Sequence, residues 1–232
     1  MRIEKLAWDS DFFNLHIGRT DIVSEDDVDV LTNKNAVLKE EYDLIYVFAS
    51  HGLDVSITNN AKLMDKKVVF VLSEIPDSKS DDNVVLYDSG KGVTEDLLHL
   101  ALVSGQYSRF KLDKGLPSGS YERLYSRWIE QSVNGTLATE VFCYMVDEHP
   151  RGLVTFDIKN DVGTIGLVAI HEDFQHRGIG TAMMQHVIHY AWMKQCSKLS
   201  VATQLDNVPA CRLYEKTGFA VESITDVWHW WL

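Results

Sequence analysis

The sequence concentrates its most specific chemistry between Gly163 and Thr181. An apolar run, Gly166-Leu167-Val168-Ala169-Ile170, passes through His171-Glu172-Asp173-Phe174 into Gln175-His176-Arg177-Gly178-Ile179-Gly180-Thr181. Two glycines and a threonine at a strand-to-helix junction let the backbone come close to a ligand. The helix start adds unpaired N–H donors and a partial positive charge, so the junction predicts a cradle for a diphosphate. Gly-x-Gly by itself also fits a plain tight loop. It is not a dinucleotide fingerprint, because Met183 stands where the third glycine would be, and no Gly-Lys-Ser/Thr phosphate loop occurs. Downstream, Asn207 and Tyr214 are two helical turns apart and can face one cleft. A phenol with an ordinary pKa of ~10 is protonated at neutral pH and can act as a proton donor. Taken alone, Asn207 also reads as a helix N-cap and Tyr214 as a core tyrosine.

Positioning these groups requires a strand, a turn and two helices. Ile179, Ala182, Met183, His186, Val187, Tyr190 and Ala191 recur at helical spacing after the junction. A strand over Leu199–Thr203 and a helix from Asn207 to Gly218 follow, and a strand region over Phe219–Leu232 ends the chain. Before the junction, Thr139–Val146, Gly152–Lys159 and Val162–Ile170 read as an antiparallel meander. The earlier chain predicts strands over Arg2–Trp8, Gly18–Val23, Asp43–Ala49, Val68–Leu72 and Val84–Tyr87, with an acidic helix capped by Ser24. Asp77–Asn83 reads as a linker or exposed loop. Helices are predicted from Thr94 toward Tyr107 and over Tyr121–Val133. The class is α/β: a mixed, mostly antiparallel central sheet flanked by helices, with a smaller N-terminal α/β domain over 1–88 and the second domain over 89–232.

Composition bounds the partners. The 232 residues carry 22 Lys and Arg against 34 Asp and Glu, a formal charge of -12. Such a surface repels phosphate backbones and argues against general nucleic-acid binding, while leaving room for one anionic ligand at a helix N-terminus or an arginine. No apolar stretch nears the roughly 20 residues a membrane span needs, and the first residues do not read as a signal peptide. Cys143, Cys196 and Cys211, odd in number and widely spaced, predict reduced buried thiols, no zinc framework and a cytoplasmic setting.

Gln175-His176-Arg177-Gly178-Ile179-Gly180 resembles the Arg/Gln-x-x-Gly-x-Gly/Ala signature of the GNAT N-acetyltransferase superfamily. Asn207, Ala210 and Tyr214-Glu215-Lys216-Thr217-Gly218-Phe219 resemble its closing motif, so the likeness covers about residues 135 to 232. It implies a GNAT fold and acetyl transfer from acetyl-CoA to a primary amine by direct attack, with no metal. It also implies that the pantetheine arm runs along Leu167, Val168, Ala169 and Ile170, where that strand splays from its neighbour. The diphosphate would rest on Gln175 to Thr181, an N–H of Val168 or Ala169 would face the oxyanion, Asn207 would touch the cofactor arm and Tyr214 would be the acid. Trp8-Asp9-Ser10-Asp11-Phe12-Phe13, Ser108-Arg109-Phe110, Tyr125-Ser126-Arg127-Trp128-Ile129-Glu130 and Val201-Ala202-Thr203-Gln204 further resemble sugar-nucleotide acetyltransferases of bacterial surface-polysaccharide synthesis. This implies an acceptor such as the 4-amino group of a dTDP-4-amino-4,6-dideoxyhexose. Other amines (a protein N-terminus, a polyamine, an antibiotic) and a non-catalytic acetyl-CoA-binding regulatory module stay open as alternatives.

For the acceptor, Arg109 can grip a diphosphate in fork geometry, or else form a surface salt bridge with one of the many acids. Ser108, Phe110, Tyr121, Tyr125 and Trp128 cluster around it in the sequence and can stack on a base or sugar, with core packing of its helix the expectation for Trp128. Trp230 and Trp231 should point to opposite faces of a strand, leaving one face for the first domain or for a second subunit in a homodimer. No general base stands out: His171, Glu172 and Asp173 read as solvated, and His176 as turned outward.

Overall fold

The computed structural model describes residues 2–55 and 60–232. One ten-stranded sheet runs through it in the order β1-β2-β3-β10-β4-β9-β8-β7-β6-β5. The strands are β1 (Glu4–Lys5), β2 (Ile17–Ile22), β3 (Leu44–Ser50), β4 (Ala61–Leu72), β5 (Val84–Leu86), β6 (Glu140–Val146), β7 (His149–Lys159), β8 (Val162–Ile170), β9 (Lys198–Gln204) and β10 (Ala220–Trp231). Only the β2–β3 and β8–β9 pairs are parallel, so the sheet is mixed and mostly antiparallel. Strands from either side of residue 88 interleave: β10 lies between β3 and β4, and β5 closes the far edge against β6.

The helices are α1 (Ala7–Phe13), α2 (Glu25–Asn33), α3 (Asn35–Glu41), α4 (Glu95–Ser104), α5 (Arg109–Leu112), α6 (Ser120–Val133), α7 (Ile179–Met193) and α8 (Val208–Lys216). Ser24 starts α2 with a full capping box, its hydroxyl accepting the Asp27 N–H and the Asp27 carboxylate accepting the Ser24 N–H. Thr94 caps α4 in the simpler way. Adjacent strand residues show how the layers form. Leu153 packs with Leu97, Leu100 and Ile129 of α4 and α6, while Val154 packs with Met183 and Val187 of α7. Successive side chains leave opposite faces of β7, so α4 and α6 cover one face and α7 the other.

The N-terminal strand expected over Arg2–Trp8 is replaced by the two-residue β1 and by α1. Apolar residues at Trp8 and Phe12 sit one helical turn apart, and their rings stack at 4.9 Å. Asp9 lies in the first turn, where negative charge is favoured, and Phe13 is buried. Helix α3 and the first half of β4 also go beyond the sequence reading, since Lys62, Asp65, Lys66 and Lys67 mask the strand pattern. The segment 77–83 is irregular, as expected, but it is tied down: Asp77 lies 3.3 Å from His189 and the Ser80 hydroxyl 3.0 Å from His186, both on α7. Trp230 packs beneath Ile22, Leu31 and Leu38, while Trp231 joins the opposite cluster and donates its indole N–H to Asp113 at 3.1 Å. All three cysteines are buried and free.

Candidate active site

Strands β8 and β9 pair only from Val162/Lys198 to Ile165/Val201 and then part. The parting begins at a bulge. Gly166 lies against Thr155, where an added Cβ would come within 2.6 Å of the threonine hydroxyl, and that hydroxyl accepts the Leu167 N–H at 2.8 Å. Beyond the bulge the register decides which donors face the gap. The His171 N–H bonds to the Arg151 carbonyl, and Ala169 stands opposite Leu153 two residues along. Antiparallel pairs alternate, so the Ala169 N–H turns toward β7, while those of Val168 and Ile170 turn toward β9.

A cavity of about 580 Å³ fills this gap. Of the residues singled out from the sequence, Leu167, Val168, Asn207, Tyr214, Ser108, Arg109 and Phe110 line it. Trp128, expected in the core, lines it as well, together with Tyr125 and Asp65. Tyr121 does not: its hydroxyl meets the Leu102 carbonyl and its ring packs on Tyr125. Asn207 caps α8 by accepting the Ala210 N–H at 3.3 Å, and its amide donates to the Thr203 hydroxyl at 3.4 Å. Tyr214 is buried, and that burial holds its phenol well above the ordinary tyrosine range and so protonated.

Arg109 is no surface group. Its guanidinium lies 4.2 Å from the Tyr46 ring centre and 4.5 Å from that of Phe110. Burial works against its charge, and Asp65 and Asp9 are carboxylates that favour it. Yet its Nη1, like Oδ1 of Asp65, is sealed from solvent and has no hydrogen-bond partner among the described residues. Buried polar atoms left unpaired on residues that line a cavity are costly unless a polar ligand meets them. Burial raises the Asp65 carboxyl to about 6, against the opposing pull of Arg109 and a hydrogen bond from Gln204.

The cradle is contiguous but lies apart from the cavity lining. His176 (φ 61°) and Gly178 (φ 83°) adopt left-handed backbone on either side of Arg177, a curl that gathers N–H groups on one side. Helix α7 starts there, and the Gly178 carbonyl accepts the Ala182 N–H. The N–H groups of Ile179, Gly180 and Thr181 have no helical carbonyl four residues back to bond. A Cβ on Gly178 would meet nothing within 4 Å, so its backbone angle, and not crowding, calls for glycine. The loop is braced by Gln175, whose amide bonds the Ile170 carbonyl at 3.1 Å, and by Arg177, which bonds the Asp173 carbonyl at 2.8 Å and lies over Phe174. Lys216, not singled out from the sequence, brings its ammonium within 3.5 Å of the Thr181 hydroxyl. The residues present suit an anionic diphosphate on that evidence. His171, Glu172 and Asp173 stand outside the cavity. With His99, the first two bring possible metal-ligand atoms within 4.8 Å of one another on the surface.

Residues 107–219 match the model of the acetyltransferase (GNAT) family. The chain therefore carries a GNAT acetyltransferase domain. It is an acetyl-CoA-dependent N-acetyltransferase. The dTDP-fucosamine acetyltransferase of Escherichia coli O6:H1 is 28% identical over 231 residues, which cover 95% of this chain and 94% of the relative. The spore coat polysaccharide biosynthesis protein SpsD of Bacillus subtilis is 27% identical over 143 residues, 60% of this chain and 48% of that protein. Among solved structures, a conserved protein of Staphylococcus epidermidis superposes with a TM-score of 0.61 over 92% of this chain and 83% of its own, at 15% identity. A GCN5-related N-acetyltransferase of Sphaerobacter thermophilus does so at 0.57 over 80% and 59%, at 14% identity. At these identities the two show a shared fold alone. No helix among the described residues is long and apolar enough to cross a membrane.

Proposed function

We propose that the chain acetylates a primary amine of a dTDP-linked amino sugar, the 4-amino group of a dTDP-4-amino-4,6-dideoxyhexose. The observation that carries this reading is Arg109, a cavity-lining residue whose buried Nη1 has no hydrogen-bond partner among the described residues. A buried guanidinium with a free donor suits a phosphate oxygen, and Phe110, Tyr125 and Trp128 beside it suit a base or sugar ring. The E. coli relative, named for a dTDP sugar and alike over nearly its whole length, supports the same acceptor class.

Acetyl-CoA supplies an activated thioester. Each residue then has a separable task. The N–H groups of Ile179 to Thr181 hold the diphosphate, with Lys216 and the Thr181 hydroxyl beside them. Val168 offers the N–H aimed at the gap, where it can meet negative charge on the acetyl oxygen. Tyr214, held protonated by burial, gives its proton to the leaving sulfur. The test is a panel of dTDP- and UDP-amino sugars, polyamines and peptides, with thiol release as the readout. Fastest turnover on a dTDP-4-amino sugar is the expected result; a faster polyamine or peptide would remove this acceptor class.

A further inference from the structure

An amine must lose a proton to become an amide, and the sequence shows no evident base for that step. The cavity does. Of the residues lining it, two carry carboxylates, Asp65 and Asp157. Asp157 is engaged, since it accepts the Thr139 hydroxyl at 2.7 Å. Asp65 is not satisfied: Oδ1 is sealed from solvent and lacks a hydrogen-bond partner among the described residues. It stands on β4, which pairs with β9 from Lys67/Gln204 onward, so it sits past the end of β9 on the far side of the gap from β8. It thus shares a cavity with Val168 and Tyr214, the two groups aimed at the thioester, and with Arg109.

We propose that Asp65 is the catalytic base that takes the proton from the acceptor nitrogen during acetyl transfer. The proposal rests on the acetyltransferase reading and deepens it. The neutral amine's lone pair attacks the thioester carbon, forming the C–N bond and sending the carbonyl π pair to oxygen. The Asp65 carboxylate removes one proton from the now cationic nitrogen. The oxygen pair returns, the C–S bond breaks with its pair on sulfur, and the Tyr214 phenol protonates that sulfur. Asp65 then releases its proton to solvent and Tyr214 regains one, so the sum is amine plus thioester giving amide plus thiol.

The surroundings suit the task. A carboxylate too well satisfied is a poor base, whereas Asp65 is raised to about 6 by burial. Arg109 and Lys67 favour its charge, Asp206 opposes it, and Tyr125 faces it from α6. At neutral pH it is therefore mostly ionised and still basic enough to accept a proton.

The test compares wild type with Asp65→Asn and Asp65→Glu. Before any catalysis, a ¹³C carboxyl titration of the free protein should show one aspartate resonance, absent from Asp65→Asn, with a midpoint near 6. Under saturation with the amine that the wild type acetylates fastest, kcat should rise with pH through an acidic limb near that midpoint. Asp65→Asn should lower kcat by ~10²–10⁴-fold and abolish the limb, and Asp65→Glu should restore part of the rate with a displaced limb. Acetyl-CoA affinity by calorimetry should stay within ~3-fold in both variants, which separates loss of a base from misfolding. Wild-type kcat in Asp65→Asn, an unchanged acidic limb, or a carboxyl midpoint near 4 would each overturn the proposal. Preference for an amine other than a dTDP sugar would overturn only the acceptor assignment, because the Asp65 measurements use whichever amine reacts fastest.

Discussion

The cradle and the cavity solve their problems by opposite means. The cradle is a run of neighbours, 175 to 181, that presents backbone N–H groups near the surface, and its requirement is a chain path through left-handed angles at His176 and Gly178. The cavity is assembled from β4, α4, α5, α6, β7, β8, β9 and α8, and works through side chains with orphaned polar atoms. Backbone chemistry tolerates exchange of most side chains but not of the conformation; side-chain chemistry is the reverse. Substitutions that respect this division should therefore separate donor binding from turnover.

The largest expected effect is in the cradle. Gly178→Glu forces a residue with a Cβ into φ 83° and sets a carboxylate where a diphosphate belongs, so calorimetry should find no measurable CoA binding. Gly178→Ala, which meets no neighbour, should lose only the ~1–2 kcal/mol of the backbone angle, about 5- to 30-fold in Kd. Equal affinities for these two variants would break the account of a backbone site with an anionic guest.

Next comes Tyr214→Phe on the cavity side. It should lower kcat by ~10²–10⁴-fold and leave the Kd of acetyl-CoA within about 2-fold, the mirror image of Gly178→Glu. Because burial raises this phenol, the wild-type rate should show no loss on the alkaline side until well beyond pH 10. A parallel loss of affinity would mean that Tyr214 supports the coenzyme instead of the chemistry.

Arg109→Gln should act more modestly, chiefly on acceptor binding. One charged hydrogen bond is worth about 1.5–3 kcal/mol, so KM for a dTDP-amino sugar should rise about 10- to 150-fold with kcat changed only a few-fold. An unphosphorylated amine should show no change in KM. If it does, Arg109 shapes the cavity and does not read a phosphate.

The same division explains what the sequence made legible. The loop 175–181 and the meander–helix–strand–helix order could be read because each is a local pattern of glycines, turns and periodic apolar residues. Helix α1 was hidden because its helical contacts, Trp8 on Phe12 and a buried Phe13, occupy only seven residues beside a strand-like run. Arg109 offered two readings, phosphate partner or surface ion pair, and the fold removes the second by placing Tyr46 and Phe110 around it. Trp128 reads as core from its helix alone, yet it lies on a cavity wall that depends on β7, β8 and β9. Asp65 was the most obscure. It stands among Lys62, Lys66 and Lys67, a polar stretch that resembles a solvated loop until β10 pairs along it.

Asn207 belongs to both regions and should give the smallest effect. Its side chain caps α8, the helix that carries Tyr214 into the cavity and Lys216 toward the cradle. Loss of an N-cap costs about 0.5–2 kcal/mol, and bonds of 3.3 and 3.4 Å place Asn207→Ala toward the low end, near ~1 kcal/mol in a thermal melt. Asn207→Asp keeps an oxygen for the Ala210 N–H and adds a negative charge on the cavity wall, so it should recover stability. If it recovers acetyl-CoA affinity too, the residue is a cap and no more. If the melt returns to wild type while the affinity stays ~10-fold weakened, the amide itself meets the coenzyme, and the division between backbone cradle and side-chain cavity runs through this one residue.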